Sequence, residues 1–435
     1  MSQEDWPSLL FLPYPPDPAN RDALNVAYRP SLKAALDRLR RPSGPARLII
    51  AIPCPLLQGQ LIRSKAFSWP QAQSLVAGVY SLLAAVCAQL GIPTEVDGGP
   101  GSVDATVLLI DHGRDRRFPA GFRPGIEPNN TIVVDLPTFA SAYFPWRYIF
   151  SPRSELALDV YHAYLGFLEG RQTLRQDQLI PVESGLTLNI ASGKTNNDRG
   201  GDAALTPTYP TVCLGGTFDY LHPGHKLLLT AGALLLQVPR ETGPSSSSPP
   251  GRYIIGITGD EMLRNKKFAE HVQPWAQRAR NVMAFLAQLL ELNPRGWRDE
   301  GQSGAAGAAS YPVEETPAGE QMRAAFRGGT IEVLCVCIQD AFGPTITVED
   351  MQALVVSGET REGGKAVNEE RAKKGWNALA VYEVDVLDAE EAPAASISAT
   401  ATATATADQY ASKISSTAIR KKRAERAAKV GGTKI

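Results

Sequence analysis

Short runs of consecutive hydrophobic residues alternate with longer amphipathic stretches along this chain. In the first half, the runs at 47–54, 105–112 and 131–136 are typical of buried strands. Residues 70–90 have the length and the apolar spacing of a helix. Strands that are separated by helices predict a parallel sheet with helices on both faces, which is an α/β fold.

The second half repeats this alternation, starting with a strand at 211–216. Further strands are predicted at 252–258, 330–338, 353–358 and 378–387, with helices at 224–238 and 273–292. The pattern therefore predicts a second α/β domain, built around its own parallel sheet.

Composition predicts where the two domains begin and end. Residues 191–209 are polar and rich in Gly and Asn, as expected of a linker between an N-terminal α/β domain at 1–190 and a second domain at 210–435. Three stretches cannot bury much apolar surface and are predicted to be disordered insertions: 239–252, 296–328 and 390–409.

Charge and cysteine content narrow the class of protein. The 435 residues carry a formal net charge of -1, which gives no overall basic field for nucleic acid. No apolar run approaches the uninterrupted length of a membrane span, and the first ten residues do not resemble a signal peptide. Because the five cysteines form no CxxC pair, neither a disulfide framework nor a thiolate metal site is predicted. A cytoplasmic protein that binds neither nucleic acid nor membrane is expected.

The turn after the strand at 211–216 carries the first candidate chemistry. It reads Gly215-Gly216-Thr217-Phe218-Asp219-Tyr220-Leu221-His222-Pro223-Gly224-His225 and leads directly into a helix. Glycines at 215 and 216 let a phosphate approach the backbone, and the helix N-terminus favours an anion. His222 and His225 are three residues apart, so both imidazoles are candidates for hydrogen bonds to phosphate oxygens. Either histidine alone also fits a helix cap or a core position.

A second candidate lies near the C-terminal end. Residues 414–420 read ISSTAIR, and Ser415 or Ser416 is a suitable N-cap for the basic helix that follows. Arg420, one turn into that helix, carries a forked donor that suits phosphate oxygens. The alternative is an ordinary capped basic helix.

Together these motifs resemble the signatures of the nucleotidyltransferase superfamily that carries HxGH and ISSTxIR motifs on a Rossmann-like domain. The resemblance implies a Rossmann-like parallel-sheet nucleotidyltransferase domain, ATP as co-substrate, and Mg²⁺ accompanying it; no metal site formed by protein ligands is expected. The implied ATP-binding residues are Gly215, Gly216, Thr217, Phe218, Gly224, His225, Ser415, Ser416, Thr417 and Arg420. His222, His225 and Lys266 are the implied catalytic residues.

Three other segments resemble the eukaryotic and archaeal phosphopantetheine adenylyltransferases. They are the block QALVVSGETREGGKAVNEER at 352–371, the segment Arg264–Phe268, and Gln273-Pro274 with Arg278. This resemblance implies AMP transfer from ATP to 4′-phosphopantetheine in coenzyme A biosynthesis, giving dephospho-coenzyme A and pyrophosphate. The implied acceptor-binding residues are Thr217, Lys266, Lys267, Arg361, Asn368 and Arg371, with Lys266 slightly preferred over Lys267.

Several alternatives stay open at this point. Lys266 and Lys267 also fit a solvated surface, and Arg361, Asn368 and Arg371 also fit helix-surface salt bridges. Asp219 is a candidate for metal binding or for holding the glycine-rich turn, and Lys226 for phosphate contact or for the outer helix face. Other functions to weigh are a superfamily member acting on nicotinamide mononucleotide or a phospho-alcohol, and a non-catalytic scaffold. A complex with other coenzyme A enzymes is a further expectation.

Overall fold

The computed structural model describes most of both predicted domains. The described residues are 6–40, 44–54, 69–113, 116–118, 121–125, 132–142, 145–170, 172–187, 206–239, 249–292, 314–315, 320–387 and 415–431. The predicted insertion at 390–409 and most of the predicted linker lie outside these residues.

Within the described residues, the first half contains six strands and four helices. The strands are β1 (Ser8–Phe11), β2 (Ala46–Pro53), β3 (Val103–Asp111), β4 (Val134–Asp135), β5 (Ile149–Pro152) and β6 (Leu179–Val182). The helices are α1 (Arg21–Leu39), α2 (Trp69–Leu90), α3 (Leu136–Ala142) and α4 (Glu155–Leu168), with a 3₁₀ turn at Gln176–Gln178. The strands form one sheet in the order β4-β3-β2-β1-β5-β6, and every pairing in it is parallel.

The part of the second half that the structure describes contains seven strands and four helices. The strands are β7 (Thr211–Gly216), β8 (Gly251–Thr258), β9 (Glu314–Glu315), β10 (Gln321–Phe326), β11 (Ile331–Ile338), β12 (Ala353–Ser357) and β13 (Ala380–Val384). The helices are α5 (Pro223–Leu235), α6 (Trp275–Leu290), α7 (Arg361–Lys373) and α8 (Ser416–Gly431). Short 3₁₀ turns lie at Asp260–Leu263, Ala269–His271, Arg327–Gly329 and Gly343–Ile346.

The second sheet has the order β13-β12-β7-β8-β11-β10-β9. The five strands from β13 to β11 are parallel, whereas β10 and β9 are antiparallel additions at one edge. The chain runs outward from β7 through β8 to β11 and then returns to the other side of β7 to form β12. This reversal leaves a crevice outside the carboxyl ends of β7 and β12, where open α/β sheets bind ligands. The predicted α/β fold with a Rossmann-like parallel sheet is confirmed.

Strand β10 lies inside a stretch that the sequence assigned to an insertion, 296–328. Its side chains alternate between exposed and buried, and Met322, Ala324 and Phe326 are buried. The alternation has the period of a strand with one solvated face. The prediction was based on the average composition of a Gly- and Ala-rich stretch, which does not reveal a strand of six residues. The insertion was therefore predicted too long.

Helix α2 joins the two halves. Its Trp69 indole N–H donates to the Ala231 carbonyl of α5 at 2.9 Å, and its Gln73 side chain accepts from the Asp385 amide at 3.1 Å. One continuous cluster of buried apolar side chains runs through both halves.

By length and composition alone α2 is apolar enough to cross a membrane, contrary to the expectation from the sequence, and 67% of its most apolar window is buried. A helix enclosed by protein is apolar around most of its circumference.

Arg371 of α7 has a structural position. Its buried guanidinium donates to the backbone carbonyls of Thr345, Val348, Glu349 and Asn377 at 2.7 to 3.1 Å. These carbonyls belong to the connection before β12 and the turn after α7. Arg371 therefore fastens both segments to the helix.

We expect Arg371→Met to lower the free energy of unfolding by about 3 kcal/mol, because four backbone carbonyls lose the charged donor that they share. Urea denaturation of the full chain measures this change. The matched control is Lys373→Met on the same helix, where an exposed pair with Glu370 at 2.5 Å is lost and a much smaller change is expected. Equal, small changes in both variants would contradict the structural role of Arg371.

Candidate active site

The turn between β7 and α5 places two imidazoles at the carboxyl end of the central strand. His222 is the N-cap of α5 and Pro223 occupies its first position, where a missing N–H costs nothing. A Cβ at Gly224 would lie 3.2 Å from the His222 ring. Glycine at this position therefore leaves room for the ring over the first turn of the helix.

The two histidine rings stack on each other. Their centroids are 3.9 Å apart with an angle of 23° between the planes. Phe218, held at φ 53° and fully buried, packs its ring 5.2 Å from His225. Phe218 was predicted to contact ATP, but the structure places its ring against His225 and not among the cleft-lining residues. The stack fixes how both imidazoles are oriented.

Burial keeps both histidines neutral. Burial, and then the nearby charge of Lys226, lowers the pKa of His222 to about 3. Burial also lowers the pKa of His225 well below its usual range, with smaller effects from His222 and Arg278. The Nδ1 atoms of both rings are buried and have no hydrogen-bond partner within the part of the chain that the structure describes. The site therefore has two neutral imidazoles with unused ring nitrogens.

The second motif supplies another helix N-terminus. The Ser415 hydroxyl accepts from the Ala418 amide at 3.3 Å, so Ser415 is the cap of α8. Ser416 then belongs to the first turn, and its hydroxyl lies 3.4 Å from His222 Nε2. The same hydroxyl donates to the Asp219 carbonyl at 2.9 Å. The structure thus brings the two motifs into direct contact.

A buried ion pair strengthens this contact. Arg420 Nη1 lies 2.7 Å from Asp219 Oδ2, and the two side chains are 3% and 0% exposed. The other Asp219 oxygen accepts from the Gln273 amide at 2.9 Å. Arg420 also donates to Thr417 Oγ1 at 3.0 Å and to the Lys267 carbonyl at 3.1 Å. Arg420 was predicted to reach phosphate; it lines the cleft, but its described contacts tie α8 to the turn.

These contacts also distinguish between the two roles considered for Asp219. Its carboxylate is shared between Arg420 and the backbone of Gln273, which is a structural arrangement. No group of three His, Cys, Asp or Glu side chains that could hold a metal occurs within the described ranges.

The start of α6 holds the turn from the other side. Arg278 is fully buried and donates to the carbonyls of Thr217 and Gln273 at 2.7 and 2.8 Å and to Asp260 Oδ1 at 2.6 Å. The Gln273 side chain accepts from the Tyr220 amide at 2.8 Å. Gln273 and Arg278 belong to a segment that resembles a family pattern, which implied no role for them. In the structure they fix the path of the backbone from Thr217 to Tyr220.

A cleft of about 700 Å³ opens over these elements, between the carboxyl ends of β7 and β12. The structure brings the following predicted residues to its wall: Gly215, Gly216, Thr217, His222, Gly224, His225, Lys266, Ser415, Ser416, Thr417 and Arg420. Of the two candidate lysines, Lys266 lines the cleft, while Lys267 offers only its carbonyl to Arg420.

Three predicted acceptor-binding residues on α7 do not reach the wall of the cleft. Arg361 is exposed and makes two 2.6 Å bonds to Glu383 of β13. Asn368 exchanges hydrogen bonds with the backbone of Leu379 at 2.8 and 3.0 Å, and Arg371 holds the carbonyls described above. Their polar groups are used to secure the helix against the sheet. Lys226, a weaker candidate, pairs with Asp104 of β3 and faces the first half.

Other parts of the wall were not among the predicted site residues. They come from the segments after β11, β12 and β13, and include Asp340, Phe342, Thr345, Gly358, Thr360, Asp385 and Val386. Their position after predicted parallel strands could have indicated them, since the carboxyl ends of such strands meet at one edge of a sheet.

Comparison with known proteins finds one family model and several curated relatives, each similar to part of the chain. The family described as Domain of unknown function (DUF8446) matches residues 1–188. A region of 213 residues, 49% of this chain, is 30% identical to 48% of a protein named Phosphopantetheine adenylyltransferase from Saccharomyces cerevisiae. A region of 216 residues, 50% of this chain, is 31% identical to 49% of an uncharacterized protein from Schizosaccharomyces pombe.

An archaeal relative is matched over more of its length. The chain is 27% identical over 189 residues to a protein named Phosphopantetheine adenylyltransferase from Thermococcus gammatolerans, which covers 43% of this chain and 85% of that one. The similarity to the two fungal proteins spans about half of their length. The chain is therefore similar, over about half of its length, to proteins that carry this name.

Proposed function

We propose that this chain transfers the AMP group of ATP to 4′-phosphopantetheine, giving dephospho-coenzyme A and pyrophosphate. The observation that carries the proposal is the meeting of the β7–α5 turn and the start of α8, 194 residues apart at His222 and Ser416, in the wall of one cleft. Similarity to proteins named phosphopantetheine adenylyltransferase supports the choice of acceptor.

The cleft suits a triphosphate. The first turns of α5 and α8 both line it, and the N–H groups at a helix start have no partner within the helix. Each helix N-terminus adds a partial positive charge that favours an anion. Lys266 adds a full positive charge at the same wall. A polyanionic ligand is therefore stabilised from more than one direction.

The proposed reaction needs positioning more than proton transfer. A phosphate oxygen of the acceptor attacks the α-phosphorus of ATP, the bond from that phosphorus to the bridging oxygen breaks, and pyrophosphate leaves. A phosphate monoester is already largely ionised at neutral pH, so no base has to activate it. Mg²⁺ would accompany ATP, and it would supply positive charge that neutralises the phosphates. Donors held in place by the protein stabilise the charge that develops on the phosphates.

The walls of the cleft also suit the proposed acceptor. We assign Lys266 also to the acceptor's phosphate, which must lie next to the ATP phosphates, and Leu227, Val356 and Val384 add apolar surface to the wall. Phosphopantetheine carries a phosphate at one end of a long uncharged arm. It therefore needs both a cation and an apolar surface.

The first test is an assay of the full chain with ATP and each of several acceptors. We expect dephospho-coenzyme A and pyrophosphate with phosphopantetheine, and no adenylylated product with nicotinamide mononucleotide or phosphocholine. Mass spectrometry identifies the nucleotide product and a coupled assay measures pyrophosphate. Product formed only with a different acceptor would overturn the choice of phosphopantetheine.

His225→Ala tests the histidine stack. We expect kcat to fall by about 100-fold or more, because a donor fixed near the reacting phosphate is lost, while the melting temperature changes little. His162→Ala is the matched control, since His162 is exposed on α4, and it should retain full turnover. Unchanged turnover in His225→Ala would mean that the stack takes no part in the reaction.

The low pKa of His222 predicts a dependence of stability on pH. Its pKa is lower in the folded protein than the usual value of 6.5, so below that pH the unfolded chain binds a proton that the folded protein excludes. Stability should therefore fall as pH falls from 6.5 towards 3, with a slope of about 1.4 kcal/mol per pH unit for each such histidine. Urea unfolding at several pH values from about 6.5 to 5 measures it.

The double variant His222→Asn, His225→Asn should show a shallower loss of stability over this pH range, because neither side chain titrates there. His162→Ala should keep the slope of the unmodified chain. Equal slopes in all three proteins would show that the stacked histidines do not resist protonation.

A further inference from the structure

A segment of the first half contacts the candidate active site directly. We call residues 95–105 the brace; they form the turn between α2 and β3 and the first residues of β3. The Val96 amide donates to the Leu221 carbonyl at 3.0 Å. Leu221 immediately precedes His222, so this bond fixes the backbone on the entry side of the histidine stack.

The brace also contacts α8. Arg423 donates to the Asp97 carbonyl at 2.7 Å. The Arg423 guanidinium carbon lies 4.2 Å from the centroid of the Tyr220 ring, an arrangement in which cation and ring attract each other. Arg423 therefore links three elements: the brace, the turn that carries the histidines, and the helix that begins with Ser416.

The brace has a backbone suited to hold these contacts in one place. Asp97, Gly99 and Gly101 have positive φ angles of 63°, 80° and 80°. The Val103 amide closes the turn by donating to the Pro93 carbonyl at 3.0 Å, and the Ser102 hydroxyl donates to the Gly99 carbonyl at 2.6 Å. Because a backbone and a side-chain hydrogen bond both close this turn, its carbonyls and amides are held at fixed positions.

A third contact fixes the start of α5. Lys226 follows His225 and is 1% exposed. Its ammonium pairs with Asp104 and donates to the Ala105 carbonyl at 2.7 Å. Replacing water with a carboxylate and a carbonyl is how a buried ammonium is kept charged. The first turn of α5 is therefore held to the first half as well as to its own sheet.

From these three contacts we propose that the brace is a positioning element for the active site, setting the histidine stack and α8 at the spacing that the transfer requires. The proposal rests on the proposed function. It assigns the first half a part in turnover through Val96, Asp97 and Asp104, none of which reaches the wall of the cleft. A displacement of about 1 Å at a reacting group can cost 100-fold in rate, so the brace acts on kcat.

The test is Arg423→Met in the full chain. Methionine keeps much of the side-chain length but loses the donor to Asp97 and the cation over Tyr220. We expect kcat to fall by roughly 10- to 100-fold, with the KM for ATP within about 3-fold and the melting temperature nearly unchanged. Arg423→Lys restores a cation and a donor and should recover part of kcat. Arg426→Met, an exposed arginine on the same helix, is the control and should match the unmodified chain.

A second measurement does not depend on the acceptor. Hydrogen–deuterium exchange of peptides spanning 217–225 should be faster in Arg423→Met than in the unmodified chain and in Arg426→Met. Unchanged exchange together with unchanged kcat would overturn the positioning role. If the unmodified chain makes no dephospho-coenzyme A, the proposed function fails, and the exchange result alone then decides whether the brace holds the turn.

Discussion

The buried pair of Asp219 and Arg420 is the interaction on which the site depends. It joins two segments that are 201 residues apart, and neither side chain is more than 3% exposed. A buried ion pair is stable only when its remaining atoms are also bonded. Here the Gln273 amide, the Lys267 carbonyl and Thr417 Oγ1 provide those bonds. Loss of either partner would leave an uncompensated charge and separate the two helix starts that line the cleft.

Three cationic side chains near the cleft have structural contacts of this kind. Arg278, Arg420 and Lys226 each pair with a carboxylate, from Asp260, Asp219 and Asp104 respectively. The histidines are neutral because burial opposes their protonation. The positive electrostatic potential available to an anion therefore comes mainly from Lys266 and from the N-termini of α5 and α8. The charges of the paired cations are largely cancelled by their carboxylate partners. A site of this kind is preorganised, because few groups have to move when the ligand binds.

The two halves form a continuous structure around α2. Buried residues of both sheets belong to one apolar cluster, and the contacts of Trp69, Gln73 and Asp104 cross the boundary between them. The half that matches a family of unknown function thus contacts the candidate active site through hydrogen bonds. Within that half, the brace donates a hydrogen bond to Leu221, the residue before His222.

The sequence determined the local elements: the strand at 211–216, the glycine-rich turn, the helix after it and the serine cap of α8, because each depends on residues adjacent in the chain. It missed β1, β5 and β6, since strands of four residues are too short for a hydrophobic period to stand out. Tertiary structure decided which polar groups face the cleft. Lys266 rather than Lys267, the fastening role of Arg420, and the burial of Arg371 all follow from partners that are distant in sequence. Local patterns specify helices and strands, whereas the partner of a charged side chain is set by the packing of segments far apart in the chain.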